Sequence, residues 1–161
     1  MLDDRPLEPG LLPTDSVLVR ALADADLAAI VKIDAASMGR PREEYYRAKF
    51  RESHAEAPGP RTSLVAEVDG HVVGFLLARV YYGEFGRAEP VAVVDSVGVD
   101  PRFRGRHVGQ ALLRQLLMNL RALHVERVQT EVDWEQLDLL HFLQRNGFAP
   151  ARRFCLERTL G

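Results

Sequence analysis

Apolar and polar side chains alternate along residues 62–68, and the largely apolar run 71–82 follows as a return strand, with Asp69-Gly70 between the two. That is the pattern of two strands joined by a two-residue hairpin. Residues 91–99 are apolar and β-branched, which suits a buried strand. Asp100-Pro101 ends that strand, since proline has no N–H to give to a ladder. Val108, Ala111, Leu112, Leu116, Leu120 and Leu123 then recur at spacings of three and four, which predicts a long amphipathic helix. Before the hairpin, residues 17–20 read as a short strand. Asp24 starts a helix carrying Leu27, Ile30 and Val31, and Gly39-Arg40-Pro41 interrupts it. Residues 43–52 form a second helix with Tyr45, Tyr46 and Phe50. After the long helix come a strand over 127–132 and a helix over 134–146 that Asn146-Gly147 terminates. Two closing strands follow, over 148–150 and 152–160, the second alternating through Phe154, Leu156 and Arg158.

The resulting order is β-α-α-β-β-β-α-β-α-β-β, a mixed α/β fold. The strand after the long helix should run parallel to the one before it through a right-handed crossover. The hairpin strands are antiparallel, and helices should cover both faces. Gly74 inside a strand marks a bulge or a close backbone approach.

The chain has 161 residues, which suits one domain. Residues 1–16 hold Pro6, Pro9, Gly10 and Pro13 and read as an irregular leader, leaving 17–161 as the domain. A formal net charge of −2 gives no case for nucleic-acid binding. No apolar run is long enough to span a bilayer, and no metal-ligand spacing appears. The single cysteine, Cys155, forms no intramolecular disulfide, which suits a cytoplasmic protein; it reads as a buried apolar filler, and Trp134 as a packing residue.

The chemistry concentrates between the strand at 91–99 and the long helix. Residues 102–109 are basic, through Arg102, Arg104 and Arg106, carry Gly105 and Gly109, and open directly into the helix. Such a loop aims backbone N–H groups at whatever lies over the helix N-terminus, where the helix dipole favours an anion. Phosphate or diphosphate capture is implied. The loop is no Walker motif, because Gln110-Ala111 follows Gly109 in place of lysine and hydroxyl, and the glycine spacing does not make a dinucleotide fingerprint.

The stretch resembles the coenzyme A-binding signature of the GNAT superfamily of N-acetyltransferases: Gln or Arg, two residues, Gly, any residue, Gly or Ala. Here it falls on Arg104, His107 and Gly109, with His107 where glycine is usual. The element order and the Phe142-to-Phe148 run ending in Gly-Phe are similar to that family as well. The resemblance implies a central, mostly antiparallel sheet with one splayed parallel pair that admits acetyl-CoA. Val97, Gly98 and Val99 would meet the pantetheine arm, Gly98 allowing close approach. Phe103, Arg104, Gly105, Arg106, His107, Val108, Gly109 and Gln110 would wrap the diphosphate, and Gln136 is a further cofactor contact. A backbone donor near Val97 would stabilise the oxyanion.

The amine must lose a proton before it attacks, which calls for a base. Asp95 stands where family members often place an acid; the alternative is a structural aspartate bonded to nearby backbone or to an arginine. Strand alternation lets only one of Asp95 and Ser96 face the substrate. The tyrosine that often protonates the leaving thiolate is replaced by Leu143. Tyr81, Tyr82 and Ser96 are the substitutes on offer. Tyr45 belongs to the acceptor wall or to the core, while Tyr82 and Glu84 are candidate acceptor contacts. The resemblance thus implies an acetyl-CoA-dependent N-acetyltransferase acting on a primary amine of a small molecule or polypeptide in a ternary complex. The alternatives are a non-catalytic acyl-CoA-binding sensor or regulatory module and a nucleotide-binding α/β domain. Edge strands at the C-terminus suit a homodimer.

Overall fold

A computed structural model describes residues 17–53 and 61–161. The leader at 1–16 and most of the loop after the second helix lie outside them. The sheet has five strands in sequential order: β1 (Leu18–Ala21), β2 (Leu64–Val68), β3 (His71–Tyr81), β4 (Val91–Val99) and β5 (Val128–Thr130). The first four are antiparallel neighbours, and β4 and β5 are parallel. Helices α1 (Leu27–Met38) and α2 (Glu43–Ser53) cover one face, packing Ile30, Ile33, Tyr46 and Phe50 onto Val65, Phe75 and Leu77. Helix α3 (Val108–Ala122) covers the other, setting Val108, Leu112, Leu116 and Leu120 on Leu64, Ala66, Leu76 and Ala78. The last helix, α4 (Leu137–Arg145), adds Phe142 and Leu143 to that second core.

Local chemistry explains the boundaries. Asp69 and Gly70 both take positive φ, 49° and 78°, as a two-residue hairpin requires. Gly74 fulfils both readings of a strand glycine. The β2–β3 register slips between Ala66 and Glu67, opposite it. A Cβ on Gly74 would also lie 2.7 Å from Val108 Cγ1 and 3.3 Å from both Leu112 Cδ1 and the Gly98 carbonyl. The bare backbone therefore lets the N-terminal turn of α3 sit directly on the sheet. Gly147, at φ 89°, ends α4, and the Phe148 N–H reaches back to the Leu143 carbonyl at 3.0 Å.

Three expectations need correction. Residues 148–160 form no strand: none of them enters a ladder, and residues 149–160 are exposed. A strand pattern becomes a strand only beside a partner edge, and this run makes no backbone bond to one. Cys155 lies on that exposed tail and is no buried filler. Trp134 is 97% exposed, so it is no packing residue among the described residues.

Candidate active site

The feature that shapes the site is a bulge. The β3–β4 register pairs Leu77 with Ser96 but Ala78 with Val94, so Asp95 is an extra residue with no counterpart. On one side of it the Ala92 N–H and the Val94 carbonyl face β5, bonding to the Arg127 carbonyl (2.9 Å) and the Thr130 hydroxyl (2.8 Å). On the other side the Asp100 N–H bonds to the Val73 carbonyl at 2.8 Å, so residue 100 faces β3. Alternation then sends the backbone groups of Val97 and Val99 away from β3, and those of Gly98 towards it. The ladder to β5 stops at Val94–Thr130. Beyond that rung the parallel strands part, with the amides and carbonyls of Val97 and Val99 facing the gap.

The gap widens into a cavity of about 580 Å³ lined by residues 94–99, by α1 and α2, and by the β5–α4 segment. Because the extra residue breaks the alternation, both Asp95 and Ser96 line it, contrary to the expectation that only one of the pair does. Both also reach α2. Ser96 Oγ lies 3.0 Å from the Tyr45 hydroxyl, and Asp95 Oδ2 lies 3.5 Å from Lys49 Nζ. Tyr45 and Lys49 are one helical turn apart, so a single face of α2 serves both partners.

Burial pushes the Asp95 carboxyl above the ordinary aspartate range, and Lys49 offsets only part of that. Burial also works against the Lys49 ammonium, but Asp95 and Glu52 outweigh it and hold its pKa above the usual lysine value. A carboxylate with a raised pKa, at a cavity wall and within reach of water, has the properties of a general base.

Sequence reasoning missed Lys49, and it missed the opposite wall. Asp34 accepts a bidentate pair from Arg42, at 2.8 and 2.6 Å, beside Tyr45. Glu131, Asp133, Glu135 and Asp138 line the β5–α4 side. Six acidic residues thus line the cavity; Arg42 is bonded to Asp34 and Lys49 to Asp95, while the other four gather on the β5–α4 side, a field that draws in cations. The spacing of Tyr45 and Lys49 was a readable signal for the first, and the run of acids from 131 to 138 for the second.

Other predicted residues fall in different places. Gln136 lines the cavity at the start of α4, its side-chain oxygen accepting from the Asp133 N–H at 3.3 Å. Leu143 is buried and lines the cavity with a hydrocarbon surface. Tyr82 and Glu84 lie outside the lining; Tyr82 is exposed, and Glu84 sits in a one-turn 3-10 segment, Glu84–Gly86. Gly98 lines the cavity through its backbone, but the room left by its missing side chain is filled from the other face: a Cβ there would lie 2.7 Å from the Phe75 ring. Its glycine character serves packing beneath the site.

The loop after β4 continues directly from the Val99 end of the cavity. A 3-10 turn, Pro101–Phe103, is capped by Asp100, whose side chain accepts from the Arg102 N–H at 2.9 Å and from its guanidinium at 2.8 Å. Gly105 has φ 75° and His107 φ 60°. His107 therefore adopts the left-handed conformation in which glycine is at ease, and it holds this as the cap of α3. Its Nδ1 lies 3.3 Å from Gln110 Oε1. The first in-helix bond runs from the Ala111 N–H to the His107 carbonyl, so Val108, Gly109 and Gln110 present N–H groups without a helical acceptor. The Arg106 guanidinium covers the Phe103 ring, and Arg104 Nε is buried with no hydrogen-bond partner among the described residues. An orphaned buried donor beside free helix-end amides fits an anionic group such as a diphosphate, and the exposed edge of Val97 and Val99 fits an amide-bearing arm.

The model of the acetyltransferase (GNAT) family matches residues 27–148. The chain belongs to the GNAT family. Among curated proteins it is 37% identical over 91 residues to a mycothiol acetyltransferase of Propionibacterium freudenreichii, covering 56% of this chain and 28% of that protein. It is 28% identical over 158 residues to the mycothiol acetyltransferase of Acidothermus cellulolyticus, covering 89% of this chain and 47% of the relative. The chain thus spans less than half the length of these relatives. Similar solved structures include the aminoglycoside N-acetyltransferase AAC(6')-Iy in complex with CoA (TM-score 0.72, 20% identity, 94% of this chain and 100% of that one). A ribosomal-protein-alanine N-acetyltransferase from Brucella melitensis biovar Abortus 2308 aligns with TM-score 0.72 at 21% identity, over 91% of this chain and 100% of that one. These likenesses establish the fold. Within it, no helix among the described residues is long and apolar enough to cross a membrane.

Proposed function

We propose that this GNAT domain transfers the acetyl group of acetyl-CoA to a cationic primary amine, of a small molecule or a polypeptide, by direct attack in a ternary complex. The observation that carries the reading is the bulge at Asp95. It opens the edge of β4 at Val97 and Val99 and turns an acid and a hydroxyl into the same cavity. Relatives named for mycothiol, aminoglycoside and ribosomal-protein acetylation support an amine acceptor of unfixed size.

The bound cofactor would supply an acetyl thioester. Val97 and Val99 would pair with its amide-bearing arm, while Arg104 and the N–H groups of Val108, Gly109 and Gln110 would hold its diphosphate. The Val97 N–H is a fixed donor towards the oxygen on which negative charge grows. The acid-rich wall concentrates the protonated amine. Asp95 receives a proton from it through a water, and Lys49 keeps the carboxylate in place. In this reading the Ser96–Tyr45 hydroxyl pair supplies the proton that the departing sulfur needs, since Leu143 has none to give. The single cysteine suits work in the reducing cytoplasm.

The apolar surface of Leu143 favours a second reading, a non-catalytic acyl-CoA-binding module. Thiol release from acetyl-CoA, measured against a panel of mono- and polyamines, separates the two. Amine-dependent release supports the transferase; calorimetric binding of acetyl-CoA with no release above hydrolysis supports the module.

A further inference from the structure

Behind Asp95 lies a second set of charges, outside the cavity lining. Helix α2 brings Lys49 and Glu52 to it, three residues apart and so on one helical face. Strand β3 brings Arg79, two residues beyond Leu77 and therefore on the face of the sheet that α2 covers. Lys49 Nζ lies 3.5 Å from Asp95 Oδ2 and 3.2 Å from Glu52 Oε2, and Arg79 Nη1 lies 3.5 Å from that same Glu52 oxygen. From the cavity wall outwards the order is anion, cation, anion, cation. Exposure rises along it: the Asp95 and Lys49 side chains are 20% exposed, those of Glu52 and Arg79 40% and 38%. Each cation also rests over a ring, Lys49 5.8 Å from the centre of Tyr45 and Arg79 5.6 Å from that of Tyr81.

Asp95 lines two spaces at once. One is the large cavity, whose walls it shares with Glu131 after β5 and with the Asp34–Arg42 pair on the α1 side. The other is a gap of about 10 Å³ lined by Lys49, Glu52, Ser63 and Arg79 among others. That gap has room for one water at most, so no substrate group enters it. An acceptor ammonium that reaches Asp95 from the cavity therefore meets the Lys49 ammonium on the far side of the same carboxylate. One of the two must give up its proton and the other must keep it. Burial works against the Lys49 charge, but Asp95 and Glu52 outweigh it. Lys49 stays charged, and a fixed cation disfavours the charged form of an amine placed near it. Arg79 shares Glu52 Oε2 with Lys49, which keeps Glu52 from drawing Lys49 off Asp95.

We propose that Glu52 and Arg79 are positioning residues: acting through Lys49, they fix a permanent cation at Asp95 that decides which amine is deprotonated. The proton passes from the acceptor ammonium to Asp95, and Lys49 keeps its own. The inference rests on the reading of Asp95 as the base of an acetyl transfer, and its test has one readout that needs no turnover.

Carbon-13 NMR follows the Asp95 carboxyl through a pH titration, and kcat/KM against pH follows the base at work. Burial raises the Asp95 carboxyl; of the charges near it, Lys49 and Arg79 lower it and Glu52 raises it. Glu52→Gln should therefore move both the titration and the rising limb of kcat/KM to lower pH, by roughly 0.3–1 unit. Arg79→Met should move both to higher pH by a similar amount, and Arg79→Lys should restore most of the wild-type position. In a Lys49→Met background nothing remains to be positioned, so the Glu52→Gln shift should fall by more than half. Both side chains are over one-third exposed, and circular dichroism checks that the variants keep the wild-type fold. Shifts of opposite sign for Glu52→Gln and Arg79→Met support the proposal. An unmoved Asp95 titration, shifts of one sign for both, or a Glu52→Gln shift undiminished beside Lys49→Met overturn it. A titration that moves as expected while the kcat/KM limb stays still upholds the positioning and refutes Asp95 as the base, which separates the two claims.

Discussion

Gly74→Ala isolates how the sheet positions the cofactor loop. The new methyl would lie 2.7 Å from Cγ1 of Val108, a fully buried β-branched side chain, and 3.3 Å from Leu112 Cδ1 and the Gly98 carbonyl. Overpacking of this kind costs about 1–3 kcal/mol. Gly→Ala at a backbone open to alanine returns about 0.4–1 kcal/mol through the unfolded chain. The net loss is about 1–2 kcal/mol, a fall in melting temperature of roughly 2–8 °C for a chain of this size. The strain falls on the first turn of α3, so CoA affinity should drop about three- to tenfold, which is about 0.6–1.4 kcal/mol. Val108→Ala alone removes two buried methyl groups and costs about 2 kcal/mol. In the double variant the clashing atom is gone, so the alanine at 74 should be close to neutral. The cycle, read by urea denaturation, should show a coupling of about 1–2 kcal/mol. A Gly74→Ala protein that melts with the wild type, or a cycle additive to within about 0.5 kcal/mol, refutes the idea that glycine is there to admit the helix.

Further predictions rest on separate observations. His107→Gly replaces a left-handed histidine with the residue suited to that conformation and should raise stability by about 0.5–1 kcal/mol in denaturant titrations, with CoA affinity retained. Asp95→Asn should lower kcat by about 10²–10⁴. In the wild type kcat/KM should rise with pH through an Asp95 pKa lying above the ordinary aspartate value; Lys49→Met, which removes the nearer of the two cations that lower this pKa, should move that limb to higher pH. Asp26 is buried, and the burial that would raise its pKa is outweighed by Arg20, at 2.8 Å through both oxygens, so its folded pKa is depressed. Its contribution is present above the unfolded aspartate pKa and disappears as pH falls through the folded one. Asp26→Asn should therefore cost about 2–4 kcal/mol at pH 7 and flatten the acid limb of the stability curve.

The outline of the fold was legible where one physical cause dominates locally. β4 begins and ends where its β-branched run does, Asp69-Gly70 turns where only small φ-tolerant residues turn easily, and α3 follows its own apolar stripe. The site was half legible. The loop glycines and arginines declare themselves, but the extra residue at Asp95 has no signature in the sequence, because a bulge is decided by the register of two strands. Without it, strict alternation places Asp95 and Ser96 on opposite faces. The role of Gly98 was misread for a related reason: what fills its space, the Phe75 ring, comes from a strand more than twenty residues away in the chain. The tail failed differently. Its side chains alternate as a strand's do, but among the described residues it bonds to no strand edge. Trp134 and Cys155 were misplaced because apolar character alone does not decide burial: Cys155 lies on that exposed tail and Trp134 on the exposed segment before α4.

The account stands on one claim, that coenzyme A lies along the opened edge of β4 with its diphosphate on the first turn of α3. Amide chemical shifts recorded on ¹⁵N-labelled protein during titration with coenzyme A test it most directly. The largest shifts should fall on Val97, Val99 and residues 104–110, with Gln136 following. Saturable binding that leaves those amides unmoved, or no binding at millimolar coenzyme A, contradicts it.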